Sequence, residues 1–255
     1  MSNSANLLKG KKVLVIGGSS GIGRSVAAAA LSNGASVVIS SSSAKKVDAA
    51  VERLKQGSKN VVDVTVKGQA VDLKDQDALR AFLSEEAPFD HLVITAGGLP
   101  GRLQFPEEGV TDAFKSEFDV RYWAIVTASQ HIANNKLINP GGSVTFTIGT
   151  SYYRPLPGWG LVSGITGAVE ASTRGFAVDL KPIRFNTIAP GLVDTELLDT
   201  FPPELKNKLL EKGNKELPVG HAGTPDEVAE AYIFAMKCTY LTGQVIAVDG
   251  GQLVV

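Results

Sequence analysis

The glycines between Gly17 and Gly23 are the residues whose spacing points most directly to chemistry. The apolar run Val13–Ile16 precedes them and the alanine-rich stretch Arg24–Asn33 follows, which predicts a strand, a loop and a helix. In such a unit the first glycine makes a tight turn, Gly21 lets the backbone approach a pyrophosphate, and the last glycine lets the helix pack closely on the strand. Free N–H groups at the start of the helix would then bind phosphate oxygens. The alternative is a glycine-rich turn that binds no ligand.

Serines at the end of the next predicted strand, Ser36–Ile39, indicate which dinucleotide the loop would bind. Proteins that bind NAD usually place an Asp or Glu here, where it accepts a hydrogen bond from the ribose 2′-hydroxyl. This chain instead has Ser40–Ser43, followed by two lysines. No carboxylate would repel a 2′-phosphate, and the hydroxyl and ammonium groups could bind one. The sequence therefore favours NADP(H) over NAD(H), with Ser41 and Ser42 as candidate ligands; the alternative is a solvated serine turn.

Short runs of apolar and β-branched residues alternate with helical stretches along the rest of the chain. This alternation predicts a Rossmann-type α/β fold, in which a doubly wound parallel sheet of about seven strands carries helices on both faces. Ligands of such a fold bind at the carboxyl ends of its strands. We expect a single domain over residues 1–255. The remaining predicted strands are Val62–Ala70, His91–Thr95, Gly142–Ile148, Ile183–Ile188 and Gln244–Val248, and the remaining predicted helices are Ala44–Gln56, Asp75–Glu85, Thr111–Asn134, Leu161–Leu180 and Pro225–Met236.

The overall composition argues against several classes of function. The 255 residues carry a formal net charge of -1, so no excess of basic residues favours nucleic acid or an anionic membrane as a partner. No apolar run approaches the roughly 20 residues that a membrane span needs. The single cysteine, Cys238, fits a reducing compartment, and the three histidines are too scattered to predict a metal site. We expect a cytoplasmic protein that binds no metal and acts on a small molecule.

Further motifs occur along the chain in the order typical of one family. They are the Gly17–Gly23 loop, Val71–Leu73, Thr95–Gly98, Ile183–Asn186, Ala189–Thr195 and Leu241–Gly251. On these motifs nearly the whole chain resembles the short-chain dehydrogenase/reductase family. Ile16 stands where that family usually has Thr, and the first residue of the Thr95–Gly98 motif stands where Asn is usual.

The resemblance implies an assembly, a lid and a set of cofactor contacts. Members are often homodimers or homotetramers, which would form here through the helices Thr111–Asn134 and Leu161–Leu180. The segment Asp194–Leu217 occupies the place of the family's substrate lid. The implied ligands of NADP(H) are Gly17, Ser19, Ser20, Gly21, Ile22, Gly23, Ser41, Ser42, Asp72, Leu73, Ala96, Gly97, Gly98, Pro190, Gly191, Val193 and Thr195.

The chain departs from this family at the residues that carry its carbonyl chemistry. Members use a Tyr-x-x-x-Lys pair on one helix, in which the lysine lowers the pKa of the phenol and makes it a proton donor or acceptor. A serine and an asparagine complete the relay. Alignment of Gly167–Glu170 on the family pattern puts Val162 at the tyrosine position and Thr166 at the lysine position. Gly149 then stands for the serine and Arg121 for the asparagine, and the sequence contains no Tyr-x-x-x-Lys.

Three side chains near this region are candidates for replacing the lost groups. Arg121 carries a permanent charge and would anchor a carboxylate, a carbonyl or a cofactor phosphate, unless it only pairs with Glu117 or Asp119. Tyr152, or the tyrosine after it, would supply a phenol; the alternative is packing of the loop. Trp159 would be a platform for a cationic or aromatic substrate, or a hydrophobic plug.

The first hypothesis for function is an atypical NADPH-dependent reductase of an imine, an iminium ion or an activated carbonyl. Hydride transfer needs an acid only if the product is an alkoxide, and an iminium ion becomes a neutral amine on reduction. A lost tetrad beside an NADPH site is similar to fungal reductases of bicyclic indole-alkaloid biosynthesis, some of which also guide a cycloaddition. Arg121 and the loop Pro157–Trp159 carry this similarity, whereas Gly158 replaces an aspartate of that group.

Two other hypotheses stay open from the sequence. Loss of all four catalytic residues is also what a non-catalytic NADP(H)-binding protein, such as a sensor or a partner in an assembly, would display. A non-redox cyclase, isomerase or lyase could use the same pocket, with the bound cofactor as a scaffold.

Overall fold

A parallel sheet of seven strands, in the order β3-β2-β1-β4-β5-β6-β7, forms the centre of the protein. The computed structural model describes residues 6–98 and 109–255. The inner strands are built from β-branched and aromatic residues that are buried along nearly their whole length, as expected where helices cover both faces. The strands are β1 (Lys12–Ile16), β2 (Ser36–Ser41), β3 (Val66–Ala70), β4 (Phe89–Ile94), β5 (Ile138–Thr147), β6 (Arg184–Pro190) and β7 (Gln244–Val248).

Helices follow most strands and return the chain to the next one. Short 3-10 turns at residues 150–152, 198–200 and 252–254 complete the loops. The helices are α1 (Gly21–Ser32), α2 (Ala44–Gly57), α3 (Gln76–Glu85), α4 (Asp112–Phe118), α5 (Ala124–Asn135), α6 (Gly160–Asp179), α7 (Pro203–Glu216) and α8 (Pro225–Lys237).

Two apolar cores lie on opposite faces of the sheet. Along β1 the side chains alternate, so that Leu14 and Ile16 join the core that α3, α5 and α6 cover. Val13 and Val15 point to the other face and join the core under α1, α2 and α8. The predicted Rossmann-type α/β fold, with helices on both faces of a doubly wound sheet, is therefore confirmed.

The main differences from the predicted elements have local physical causes. The strand predicted from Val62 begins four residues later, because Asp63 has a left-handed backbone (φ 63°) and Val62 is 77% exposed. The helix predicted over Thr111–Asn134 is interrupted by a π-helical turn at Asp119–Trp123, which joins α4 to α5. Among the described residues, no helix is long and apolar enough to cross a membrane.

The Ile183–Asn186 motif supports the sheet rather than a ligand. The Arg184 guanidinium is buried and donates hydrogen bonds of 2.8–3.1 Å to the carbonyls of Ala235, Met236, Cys238 and Leu241, at and after the end of α8. The first two are carbonyls of the last turn of α8, which a helix terminus leaves without intrahelical partners. One arginine thereby fastens the start of β6 to the end of α8.

Replacement of Arg184 by methionine should destabilise the protein strongly, because several buried carbonyls would lose a charged donor. We expect R184M to lower the free energy of unfolding by about 3 kcal/mol or more. Arg80→Met is the matched control, since its pair with Asp77 lies at the surface and should be worth about 0–1 kcal/mol. Urea unfolding of both variants measures the difference, and equal stabilities would contradict this role.

Candidate dinucleotide and substrate site

The loops after β1 and β4 pack so closely that the backbone and the Thr95 hydroxyl fill the space at Gly17 and Gly23. Gly17 has a φ of +91°, and a Cβ atom there would lie 2.6 Å from both the Ala96 nitrogen and the Thr95 Oγ1. A Cβ atom on Gly23 would collide with the Gly17 carbonyl oxygen and with the same threonine hydroxyl. The Thr95 N–H also donates to the Ile16 carbonyl at 2.8 Å. Only glycine fits at both positions, so α1 begins directly above the carboxyl ends of β1 and β4.

The start of α1 is built as an anion site. Ser20 stands at the N-cap with an extended backbone, and its hydroxyl does not cap the helix. The N-terminus of a helix carries unpaired N–H groups and a partial positive charge, both of which favour phosphate. The N–H of Gly21 donates to the Glu196 carboxylate at 2.8 Å, and Arg24 lies 2.6 Å from the other oxygen of that carboxylate. The sequence analysis did not single out Glu196, because it is 175 residues away from Gly21 along the chain and meets α1 only in the folded protein.

The carboxyl end of β2 holds hydroxyl groups that lack partners. Among the described residues, the Oγ atoms of Ser40 and Ser41 are buried and have no hydrogen-bond partner. Successive side chains of a strand point to opposite faces of the sheet, so a ligand at this edge could satisfy at most one of the two, and Ser41, which is only partly buried, is the accessible one. Ser42 is exposed, and the hydroxyl of Ser43 accepts a 3.4 Å hydrogen bond from the Lys46 nitrogen as the N-cap of α2.

The remaining predicted cofactor residues border the same crevice. Asp72 is exposed and accepts a hydrogen bond from the Lys74 nitrogen at 3.0 Å, while Leu73 beside it is buried. After β6, the Gly191 N–H donates to the Val248 carbonyl at 3.0 Å. Val193 pairs with Gly223 through an isolated parallel bridge, just before the segment Asp194–Leu217. Loops from β1, β2, β4 and β6 thus converge at the carboxyl edge of the sheet, where the strand order reverses between β1 and β4.

Two of the four presumed tetrad positions face one narrow cavity beside Gly97. Arg121 and Thr166 line it together with apolar residues of β4, β5 and α6. The Thr166 hydroxyl is already used within α6, where it donates to the carbonyls of Val162 and Ser163 at 3.2 Å. The side chain of Val162 is buried in an apolar cluster with Phe114 and Ile165.

Arg121 lies in the π-helical turn and packs its guanidinium against Gly97. A Cβ atom on Gly97 would be 3.0 Å from the guanidinium carbon, so the glycine makes room for the arginine. Its Nε lies 3.4 Å from the carboxylate of Glu117, one turn earlier. Burial lowers the pKa of Arg121 from its usual value and the Glu117 carboxylate opposes that shift, yet a guanidinium remains charged at neutral pH.

Tyr152 is held against α6 by packing and by a carboxylate. Its ring lies where a Cβ atom on Gly167 would approach Cε2 to 3.0 Å, and its hydroxyl lies near the Glu170 carboxylate. Arg174 binds the same carboxylate at 2.7 Å. The hydrogen bond to Glu170 raises the pKa of the Tyr152 phenol above its usual value, which makes it a poorer proton donor. Tyr153 packs on Tyr152 with ring centroids 4.9 Å apart. This geometry favours loop packing for both tyrosines.

Aromatic side chains surround the entrance to this region. Trp159 precedes α6, is half-buried and packs on the cluster that contains Val162. On the facing helix, Phe118 and Tyr122 stack edge-to-face with ring centroids 6.4 Å apart, and Trp123 follows at 5.0 Å from Tyr122. Trp123 is 51% exposed and was not among the predicted site residues. Phe114, Phe118 and Tyr122 recur every four residues and Trp123 directly follows the last of them, which was the signal that could have found it.

Comparisons with known proteins show the family of this chain. A family model described as an SDR-like Rossmann domain matches residues 4–255. The short-chain dehydrogenase/reductase malC of Malbranchea aurantiaca is 33% identical over 259 residues, which span 98% of this chain and 97% of that protein.

Solved structures give the same result. The structure of the MalC reductase/Diels-Alderase from Malbranchea aurantiaca has a TM-score of 0.90 at 32% identity and covers 99% of this chain and 100% of its own. A crystal structure of a small-chain dehydrogenase in complex with NADPH has a TM-score of 0.78 at 29% identity and covers 97% of this chain and 100% of its own. With the glycine loop and the strand order, these likenesses show that the chain belongs to the short-chain dehydrogenase/reductase family.

Proposed function

We propose that this protein is an NADPH-dependent reductase that transfers hydride to an imine, an iminium ion or an activated carbonyl without a Tyr–Lys proton relay. The observation that carries the proposal is the contrast within one crevice. On the cofactor side, Gly17 and Gly23 lie where no Cβ atom would fit. On the substrate side, the buried and apolar Val162 stands where the family has its acid. We further propose one domain over residues 1–255 with a lid at 194–217, assembled as a homodimer or homotetramer in the cytoplasm.

NADP(H) fits the residues that border the crevice. The first turn of α1 would hold the pyrophosphate, and the unpartnered hydroxyl of Ser41 would face the 2′-phosphate at the end of β2. No residue of Ser40–Ser43 carries a charge that would repel that phosphate. A relative in the same family is solved in complex with NADPH, which supports this choice.

Reduction of a cation is the chemistry that the substrate side supports best. Bound NADPH supplies a hydride, and a carbon of an iminium ion that accepts it becomes part of a neutral amine, so no proton donor is needed. Val162 has no proton to give, the Thr166 hydroxyl is engaged within its helix, and the Tyr152 phenol is held by Glu170. An alkoxide product would need an acid that these residues do not provide, so of the three proposed substrate classes the iminium ion fits the site best and an activated carbonyl would take its proton from water.

Arg121 and Trp159 would orient the substrate in opposite ways. A guanidinium repels a cation, so we propose that Arg121 binds a carbonyl or carboxylate elsewhere on the substrate. The face of Trp159 would attract the cationic carbon–nitrogen group. Such a substrate carries both a hydrogen-bond acceptor and an iminium group.

A second candidate function is a cycloaddition or another non-redox reaction in the same pocket. The likeness to a structure named as a reductase/Diels-Alderase favours it. Gly158 has a φ of +82° in the loop where that group of enzymes is expected to carry an aspartate. The third candidate, a non-catalytic NADP(H)-binding protein, is favoured by the engaged hydroxyls of Thr166 and Tyr152.

Titration with NADPH and NADH tests the cofactor. We expect selective binding of NADPH, and we expect Ser41→Asp to weaken it by about tenfold or more, because a carboxylate would repel the 2′-phosphate. Ser84→Asp adds the same charge at a remote site, where Ser84 contacts His131, and should leave the affinity unchanged. Equal affinities for the two nucleotides, unaffected by S41D, would contradict the proposed preference.

Consumption of NADPH with matched cyclic iminium and ketone substrates tests the reaction. We expect the iminium to be reduced about a hundredfold faster than the ketone, because general-acid catalysis is missing. Fast reduction of the ketone would refute the proposed mechanism. Tight NADPH binding without consumption would favour the non-catalytic candidate, and a product formed without NADPH consumption would favour the non-redox one.

Variants of the two aromatic candidates test which of them meets the substrate. Loss of a cation–π contact in Trp159→Ala should lower kcat/KM for the iminium by about tenfold, while Trp159→Phe should retain most of it. Tyr152→Phe should change kcat/KM little, because its hydroxyl binds Glu170. A large loss in Y152F with an altered pH profile would instead assign the proton transfer to Tyr152.

A further inference from the structure

The lid segment touches the phosphate loop through one carboxylate. Glu196 accepts a hydrogen bond from the Gly21 N–H at 2.8 Å, and its second oxygen lies 2.6 Å from Arg24 on α1. The preceding residue is equally close, since a Cβ atom on Gly21 would be 3.3 Å from the Cβ of Thr195. The first residues of the lid therefore lie directly on the N-terminus of α1.

The rest of the lid is fastened to the opposite wall of the crevice. The Asp194 N–H donates to the Gly223 carbonyl at 2.9 Å. Lys206 on α7 binds Asp194 at 3.0 Å and Asp199 at 2.8 Å, which ties the helix of the lid to its entry loop. The lid is thus attached on the β6 side, and Glu196 makes its polar contact with the α1 side.

This contact stands where the proposed cofactor must pass. A dinucleotide bound by the glycine loop places its pyrophosphate at the first turn of α1. Thr195 lies close to this turn and Glu196 holds its Gly21 N–H, so we expect the nucleotide to reach or leave the turn when this part of the lid moves away from α1. The side chains of Glu196 and Arg24 are 42% and 27% exposed, so water can solvate both charges when they separate.

We propose that Glu196 is the latch of the lid: its contact with Gly21 and Arg24 closes the lid over the phosphate loop and limits both the entry and the release of the dinucleotide. The proposal rests on the proposed function for the identity of that ligand. Because the pair with Arg24 can form whether or not the pyrophosphate has taken the Gly21 N–H, its loss should speed association and dissociation together and should change the affinity much less. Glu196 is a positioning residue in this scheme and takes no part in hydride transfer.

The test compares Glu196→Gln and Arg24→Gln with a matched control. E196Q removes the negative partner of the ion pair and R24Q removes the positive one. E196Q also keeps the size of the side chain. Glu204→Gln removes the same charge from an exposed position on α7 of the same lid, so it reports any general change in electrostatic steering. Stopped-flow fluorescence gives the association and dissociation rates of NADPH, and hydrogen exchange gives the opening of the backbone amides of residues 194–200.

We expect the association and dissociation rates of NADPH to rise about five- to tenfold in E196Q and R24Q, which is the range for loss of a partly exposed charge-assisted contact. The dissociation constant should stay within about threefold of wild type. Amides of residues 194–200 should exchange faster in both variants without nucleotide, and E204Q should match wild type in every measurement. These results would support the latch.

Three results would overturn it. Unchanged rates in E196Q would mean that the contact does not limit passage. A rise in association alone, with tighter binding, would mean that Glu196 competes with the pyrophosphate instead of closing over it. Unchanged exchange of residues 194–200 would mean that Glu196 does not hold the lid. Absence of NADPH binding in every variant would refute the proposed cofactor. The exchange measurement needs no nucleotide, so it would still show whether Glu196 holds the lid.

Discussion

The contact between the loops after β1 and β4 is the constraint on which the site depends. Gly17 and Gly23 leave no room for a Cβ atom, and the hydroxyl of Thr95 fills the space that remains. A larger side chain at either glycine would push α1 away from the sheet edge and move its first turn. The position of that turn fixes where a phosphate can bind, and the lid residue Glu196 also takes its position from it.

Buried polar groups at the start of β6 hold the opposite wall of the crevice in place. Arg184 binds carbonyls at the end of α8, and Asn186 donates to the Leu241 carbonyl at 3.0 Å while accepting from the Gln244 nitrogen at 3.2 Å. These contacts fix β6 and β7 relative to each other, and Gly191 and Val193 then follow from β6 into the lid. The Ile183–Asn186 motif is therefore structural here. It affects the site only by holding β6 in place.

The sequence predicted the parts of the molecule that local chemistry determines. A strand, a glycine loop and a helix at Val13–Asn33 carry their own signals of periodicity and turn geometry, and the structure has each of them in place. The left-handed Asp63 and the π-helical turn around Arg121 have no such signal, because the first depends on where an edge strand starts to pair and the second on packing against a neighbouring helix. Glu196 could not be found from the sequence, since 175 residues separate it from Gly21.

Cofactor binding and proton transfer can diverge in this fold because different elements carry them. The loops after β1, β2 and β4 build the cofactor side, whereas the four presumed tetrad positions lie on the π-helical turn, the end of β5 and α6. Val162 fits the fold at the tyrosine position, because its side chain completes an apolar cluster with Phe114 and Ile165. The substrate side can therefore lose its acid and gain an arginine while the phosphate loop keeps its geometry. An intact dinucleotide-binding loop and a changed proton relay can therefore occur together in one chain of this fold, because no single element carries both.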